Sequence, residues 1–488
     1  MLTEKEIRAF IDSDKASERK NRARVGQRYY DGKHDILDYK IYFVNSEGVL
    51  QEDTTKSNIK ITHPFFTELV DQEVQYMLSG KDGFIKSDDP DLQERLDEYF
   101  NENEDFVAEL YEAITDCIVK GFSYVYAYKT KDGKTAFQCA DSMGVVEVRE
   151  KETDDGCAYV IYWYIDRIGK DNKQITRIEV WDSQQTWYYV QEDNGKIVPD
   201  DSREINPQPH ALYKKPGDEQ LYYEDYGFIP FFRLDNTRKQ YSGLVPIKDL
   251  IDDYDLMSCG LSNNIQDTNE ALYVIKGFDG NNMDELTMNL KAKKHVGVGP
   301  DGDVDIKTVD IPYLARQAKL DLDEKNIYRF GMGFNSAQLG DGNITNIVIK
   351  SRYALLDLKC NKLEIHLKQF LRRMLKVVLK EINDENETDY QQKDVYFAFE
   401  REVMTNAADN AQMDLVDAQR RQTEINTILN LQTVIDDETR LQLICEQLDL
   451  DYNDLKDKAP KPEGENTETE ARLALGNITP EDIQGVKG

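Results

Sequence analysis

Two short stretches of this 488-residue sequence carry the spacing of ligand-binding loops. Gly297-x-Gly299-x-x-Gly302 matches the dinucleotide fingerprint, whose glycines allow a tight turn and lead a helix N-terminus up to a pyrophosphate. Here Pro300-Asp301-Gly302 reads as a turn into an alternating strand, so the helix that would hold the phosphates is missing. Asp301, Asp303 and Asp305 begin like a calcium loop, but Ile306 stands where that loop needs glycine. Six cysteines (Cys117, Cys139, Cys157, Cys259, Cys360, Cys445) are widely spaced without a C-x-x-C, so they signal neither zinc nor a disulfide framework and read as reduced core thiols. Five histidines (His34, His63, His210, His295, His366) are isolated in sequence, and there is no P-loop, G-x-S-x-G or H-E-x-x-H. With 93 acidic residues, carboxylate pairs from distant positions are easy to draw and carry little information. The expectation is therefore a protein that is not an enzyme, with no catalytic residue, cofactor or metal.

One segment is built for movement rather than chemistry. Residues 331–349, "GMGFNSAQLGDGNITNIVI", hold a single charge, Asp341, in a chain that is 32% charged. Gly331, Gly333, Gly340 and Gly342, with Asn335, Asn343 and Asn346, open several backbone conformations to it. The helix behind it has apolar residues at 349, 353, 356, 360, 363, 367, 371, 374, 378 and 382, every step being 3 or 4. That stripe persists for about 35 residues, or roughly 50 Å. Leu355, Leu358, Ile365, Leu375 and Leu379 add a second apolar side, which predicts burial between neighbours, partly on other chains. Between Lys350 and Lys380 nine bases stand against two acids, so this helix carries +7. The bases are spread around the helix, which favours ion pairing with acidic neighbours over a phosphate-binding face.

That local excess is the more pointed because the whole chain is at −32. Proteins that grip nucleic acid by neutralising phosphates carry basic patches, so the charge argues against tight, sequence-reading DNA binding, whereas contact in which DNA must not stick stays open. No stretch approaches a membrane helix and "MLTEKEIRAF" lacks the apolar region of a signal peptide, so the chain is expected in the cytoplasm of the cell that makes it.

The elements that must position these features can be placed by period. Thr3-x-x-Glu6 resembles a capping box and predicts a helix running to about Tyr30, broken at Gly32. A hairpin in "IYFVNSEGVL" follows, then a helix over 63–80 with Pro64 at its first position, and a second helical run from Asp91 to Lys120. From Phe122 to about Asn236 the pattern changes to period 2, with Asp132-Gly133 and Asn194-Gly195 as hairpin turns. All three tryptophans lie there, and cross-strand packing is preferred over a base-stacking surface. In "GLVPIKDLIDDYDLMSCGLSNNIQDTNE" the residues Ile247, Leu250, Tyr254, Met257, Leu261 and Ile265 form one helical stripe, and six carboxylates against Lys248 give the segment about −5, as a solvated face would. Residues 271–310 read as a small β-α-β-β insert and 311–330 as a helix carrying Arg316, Lys319, Lys325 and Arg329. Two helices flanking an insert make a stalk with a knob at its tip. After "YFAFEREVM" come two or three short helices separated near Asp436-Asp437, and from about Lys458 a tail expected to be disordered.

Taken in order, "RYYDGKHDI", "HPFFTELVDQEVQYMLSGK", "IPFFRLDN" leading into "IKDLIDDYDLMSCGLSNNI", and a Gly/Asn loop feeding a long helix resemble the portal proteins of long-tailed bacteriophages of Gram-positive hosts, over roughly residues 20 to 455. The resemblance implies an α+β portal fold: an α/β wing (1–240), a two-helix stem (241–270 and 311–330), a small α/β clip (271–310), a tunnel loop (331–347), a long spine helix returning to the wing (348–404), a helical crown (405–457) and a disordered tail (458–488). It also implies a homo-oligomeric ring, a dodecamer, at one capsid vertex of the virion. Double-stranded DNA would pass through its channel without sequence specificity, entering during packaging and leaving during ejection. The partners implied are the terminase large subunit, scaffold and major capsid proteins and head-completion or adaptor proteins, with no membrane. Carried over by position, Asn335, Ser336, Gln338, Gly340, Asp341, Gly342, Asn343, Thr345 and Asn346 would form the tunnel loop, Asp249, Asp252, Asp253 and Asp255 an acidic stem face, and Lys350, Arg352, Lys359 and Lys362 the basic residues of the spine. The loop has few charges, in this picture, because lysines at the narrowest point would bind phosphates and act as a brake. The alternatives are a capsid or scaffold component without a channel, and a phage nucleic-acid-processing enzyme whose site is not visible in sequence.

Overall fold

The computed structural model describes residues 2–448 apart from 82, 131–132, 152–155, 169–172, 193–194, 215–219, 269–271, 279–283, 285, 287–296, 308–311, 336–345, 403–406 and 431–436. It divides into two compact units, the first Met1–Gly342 with Lys350–Val403, the second Asn343–Ile349 with Met404–Gly488.

The capping box forms: Glu6 N–H donates to Thr3 Oγ1 at 3.4 Å and Thr3 N–H to the Glu6 carboxylate at 2.8 Å, starting α1 (Glu4–Lys15). The single helix expected to Tyr30 is in fact two. The chain breaks at Ala16, and the Ser17 hydroxyl caps α2 (Glu18–Tyr30) by accepting from Lys20 N–H. The break turns Lys20 inward, where its ammonium donates to the carbonyls of Ser142 (2.6 Å) and Val145 (3.0 Å) and meets Asp14 at 3.1 Å. Burial brings that ammonium's pKa down to about 8. The expected hairpin is β1 (Tyr42–Val44) with β2 (Leu50–Glu52).

Next, α3 (Phe65–Met77) buries Phe66, Leu69, Val70, Val74 and Met77; Pro64 is its cap rather than its first helical residue. The run expected from Asp91 to Lys120 is interrupted. After β3 (Ile85–Ser87), α4 (Pro90–Leu96) passes into a π turn, Asp97–Asn101, before α5 (Glu104–Lys120). Asn101 explains the break: its amide side chain accepts from Ile85 N–H at 3.2 Å and donates to Ile85 carbonyl at 2.8 Å, as a neighbouring strand would.

The period-2 region folds into separate antiparallel sheets. The hairpin β4 (Phe122–Lys129) and β5 (Thr135–Ala140) takes β14 (Phe231–Asp235) along β4, in the order β14-β4-β5. A larger sheet runs through β6 (Val145–Val148), β7 (Tyr159–Ile168), β8 (Lys173–Trp181), β9 (Gln185–Glu192) and β10 (Ile197–Pro199), with β11 (Gln208–Pro209) also on β9. A short pair, β12 (Ala211–Lys214) and β13 (Leu221–Glu224), follows. Ile7 and Ile11 of α1 cover the large sheet with Val146, Ile161, Ile178 and Val180. Trp181 is 4% exposed and packs among Tyr126, Phe231 and His210, so this aromatic is core, as preferred. Asp132 and Asn194 lie outside the described residues.

Helix α6 (Lys248–Thr268) keeps only part of the expected stripe: Ile247 just before it is buried and Leu250 and Tyr254 pack half-buried on the core, but the fully buried positions are Ile251, Asp255 and Cys259, and Ile265 is 52% exposed. After it, β15 (Leu272–Phe278) pairs with β16 (Val298–Lys307), a continuous strand where a turn and two strands were expected. The turn signal at Pro300-Gly302 is absorbed by a register shift between Lys276 and Phe278 opposite it, with Gly277 at φ 64°. The helix expected within 271–310 lies largely outside the described residues. The third glycine of the fingerprint therefore opens no helix, and the nucleotide reading lacks its structural condition.

Helix α7 (Tyr313–Phe330) packs against α6. Helix α8 (Asn346–Asn386) is 41 residues long, about 60 Å, and drives Leu356, Cys360, Leu363, Leu367, Leu371, Met374, Val378 and Ile382 into the largest core beside α3 and α5. Its second apolar side splits: Leu375 and Leu379 are buried, whereas Leu355, Leu358 and Ile365 face solvent. Strand β17 (Val395–Phe397) pairs with β3. In the second unit, α9 (Ala407–Asn430) and α10 (Asp437–Leu448) pack together. The expected tail lies outside the described residues.

Candidate functional site

The residues singled out in sequence converge on α6, α7 and the start of α8. The four carboxylates of α6 do not form one open face. Asp249 is exposed. Asp252 accepts from the Tyr29 hydroxyl and from Lys248 Nζ, the latter at 2.6 Å, and Lys248 also reaches Asp35 at 2.7 Å. Asp253 is bridged through Lys319 of α7 to Asp323, so an ammonium ties the two helices together. Asp255 corrects the expectation most sharply, since its side chain is 0% exposed. Its Oδ2 lies 2.6 Å from His34 Nδ1, and its Oδ1 lies 2.7 Å from His63 Nδ1 and accepts from His63 N–H at 3.1 Å. Burial alone would raise this carboxyl, but the two imidazoles outweigh it and hold it below the ordinary carboxylate range. Both histidines, read as isolated, thus belong to one cluster. The partners are 221 and 192 residues apart, so no spacing could have revealed it.

The Gly/Asn segment is anchored at its start rather than free from Gly331. Phe334 N–H donates to Gln72 Oε1 at 3.0 Å, Gln72 Nε2 donates back to Phe334 carbonyl at 2.7 Å, and Asn335 Nδ2 donates to Glu324 at 2.7 Å. The Phe334 ring stacks on Tyr353 of α8, centroids 5.3 Å apart, so the residues before and after the segment are pinned to each other. Ser336, Gln338, Gly340, Asp341, Gly342, Asn343 and Thr345 lie outside the described residues. Asn346 is the first residue of α8, which moves the expected loop boundary back from 347.

On α8, Lys350 and Arg352 lie in the first two turns. Lys359 Nζ meets Glu73, itself 1% exposed, at 2.8 Å, and Lys362 is exposed. Ion pairing also takes Lys368 to Glu364 (2.8 Å) and Lys380 to Glu224 (3.4 Å), in keeping with the sequence reading. Arg401 binds Asp357 at 2.8 Å and Glu364, the two acids on this stretch.

None of this assembles reacting groups. Burial disfavours Cys117 and Cys360 as nucleophiles, pushing the first well up and the second up to about 12. Among the described residues no group of three His, Cys, Asp or Glu could hold a metal ion, and no helix is long and apolar enough to cross a membrane. What the arrangement offers is mechanical: two helices joined by an ion pair, a strand pair between them in sequence, and an anchored approach to the Gly/Asn segment at Phe334 and Asn335.

Comparison with known proteins bears on what such a frame is for. The family model described as phage portal protein, SPP1 Gp6-like, matches residues 11–450. The chain belongs to this phage portal protein family. Within it, the portal protein of Bacillus phage SPP1 is 26% identical over 348 residues, covering 71% of this chain and 67% of that one. The portal protein of Clostridium phage phiCD119 is 23% identical over 431 residues, covering 83% and 87%. Among solved structures, a chain in the neck of a native GTA particle computed with C12 symmetry aligns to this portal chain with a TM-score of 0.39 and 11% identity, over 78% of this chain and 89% of that one. The family match takes in α1 from residue 11, the antiparallel sheets, α6 to α8, and α9 and α10 of the second unit.

Proposed function

We propose that this portal chain assembles into a closed ring of twelve copies at one vertex of a phage capsid. The ring is the channel through which double-stranded DNA enters during packaging and leaves during ejection. It is also the platform on which the terminase large subunit and, later, the head-completion and tail-connector proteins dock. The observation that carries this reading is the family match running unbroken across 11–450. In this reading α6 and α7 serve as the stem, β15 and β16 belong to the clip that follows α6 in sequence, residues 336–345 are the tunnel loop, α8 is the spine, and α9 and α10 form the crown.

The chemistry of a conduit is the avoidance of adhesion. Each Lys or Arg that neutralises a phosphate adds affinity by releasing counterions, so a channel lined with free bases would hold the duplex. On α6 and α7 Lys248 and Lys319 are each engaged by two carboxylates and Asp249 is left open, while Lys325 and Arg329 of α7 are exposed. The loop brings one charge, and that charge is negative. The chain performs no catalytic step; force comes from the motor docked on it.

Images of purified particles viewed along their axis test this directly. A ring with an open centre is the expected result, and a species that stays at the 56.5 kDa protomer mass at every concentration and salt would overturn it.

A further inference from the structure

Helix α8 has a face that the described residues leave uncovered. Leu355, Leu358, Lys362, Ile365, Gln369 and Arg372 follow one another at steps of 3, 4, 3, 4 and 3, the spacing of a seam that packs on a partner, and all six are exposed. Lys376 continues it by one more step of 4. The apolar members are not marginal: Leu355 is 42% exposed, Leu358 49% and Ile365 61%. This seam contains no acid. Asp357 and Glu364, the only acids between Lys350 and Lys380, lie off it and are held by Arg401, while Lys362, Arg372 and Lys376 have no acidic partner among the described residues. Towards its C-terminal half the seam opens into a cavity of about 380 Å³ lined by Gln369, Arg372, Arg373, His366, Arg233 and Asp235. Arg233 there is paired with Glu147 and Asp235, while burial disfavours charge on Arg373.

The same chain carries the opposite surface. Helix α5 lines a groove of about 620 Å³ with Glu102, Glu104, Glu109 and Glu112 around Val107 and Tyr111. The two surfaces sit at opposite edges of one sheet. Arg373 donates to the carbonyl of Arg233 on the free edge of β14, whereas Glu109 accepts from Cys139 N–H on the free edge of β5. A ring closes only if each subunit presents two different, complementary faces.

We propose that the α8 seam is a docking surface for a second copy of this chain, whose α5 groove receives it. This deepens the ring reading and rests on it. Charge selects the occupant: the seam carries Lys362, Arg372 and Lys376 and no acid in a chain of −32, so what it meets on another copy is acidic. Leucine and isoleucine at three of the six positions fit a protein partner and give a phosphate backbone nothing to bind.

Sedimentation of the full chain against concentration and salt tests it, with a thermal melt to show that each variant is folded. The pair Leu358→Asp with Ile365→Asp should yield folded monomer. The pair Lys362→Glu with Arg372→Glu should raise the concentration needed for assembly by roughly tenfold at low salt and less at high salt. Adding Glu104→Lys and Glu112→Lys to that charge pair should restore assembly. Rings from all variants at the wild-type concentration would overturn the proposal and leave the portal reading standing, whereas a wild type that never self-associates would remove both. Loss without recovery in the four-site variant would overturn the α5 pairing. If the charge pair instead abolished binding of a short DNA duplex, read by fluorescence anisotropy, while assembly was unchanged, the surface would be a phosphate site and the proposal would fall.

Discussion

His34 Nδ1 and Asp255 Oδ2 lie 2.6 Å apart with both side chains fully buried, and this contact, with His63 on the other carboxylate oxygen, joins the loop after α2 to the middle of α6. A ring nitrogen facing a carboxylate oxygen must donate to it, so each imidazole keeps its proton on Nδ1. The carboxyl is held below its ordinary value, so its contribution to stability is fully present above the unfolded carboxylate value of about 4 and is lost as pH falls through the folded one. Asp255→Asn should destabilise the fold at neutral pH by roughly 3–5 kcal/mol, because it leaves a buried donor without its acceptor. Urea midpoints of wild type and variant, measured from neutral pH down, should converge below about pH 4. A gap that stayed constant into acid would show that the carboxylate charge is not what stabilises the joint.

A second buried carboxylate locks α8 to the hairpin β4 and β5. Glu381 accepts from Lys129 Nζ at 2.9 Å, Tyr99 hydroxyl at 3.0 Å and Thr135 N–H at 3.1 Å, and the Lys129 side chain is 4% exposed. Removing one partner of such a pair costs more than the pair contributes, since the remaining charge stays buried. Glu381→Ala should therefore lower stability by roughly 3–5 kcal/mol, and Glu381→Gln by less because it keeps an acceptor for Thr135. Chemical denaturation of the two variants side by side checks the order.

The approach of α2 to the end of α5 depends on a missing side chain. A Cβ at Gly26 would lie 2.0 Å from the carbonyl oxygen of Val119 and 2.9 Å from Ser242 Oγ, while one at Gly156 would meet nothing within 4 Å. Gly26→Ala forces the two backbones apart and should cost about 2–4 kcal/mol, whereas Gly156→Ala should stay within about 0.5 kcal/mol. Equal thermal midpoints for the two variants would contradict the packing described.

What could be read in the sequence followed local physics. The capping box at Thr3, the change to period 2 near Phe122 and the stripe of α8 each depend on residues a few positions apart, and each is present in the fold. The interruptions were missed where a polar side chain takes over backbone bonds: Ser17 starting a new helix, Asn101 pairing with Ile85. The stripe of α6 was misread because counting apolar residues alone skips Asp255, and this buried position is polar by virtue of two histidines that only the fold brings near it. Charge arithmetic found the cationic helix, yet which of its bases are neutralised depended on Glu73, Glu224 and Arg401, all remote in sequence.

The stacked rings of Phe334 and Tyr353 make a further outcome predictable. With centroids 5.3 Å apart they tie the start of the Gly/Asn segment, ahead of residues 336–345, to the second turn of α8. The entropy of closing such a loop changes only slowly with its length, and a shorter one should close as readily. Deleting Gln338–Asn343 should accordingly leave the melting temperature and the particle mass as they are. If residues 336–345 line the narrowest part of the channel, the same deletion should reduce the amount of DNA retained in capsids, measured as the nuclease-protected fraction. Phe334→Ala on an intact loop should impair retention less, because it removes the ring contact to Tyr353 while the Gln72 and Glu324 bonds still hold that end. Full packaging by the deletion variant would leave the segment without its proposed role. Loss of particle mass in that variant would instead place it in the subunit contacts.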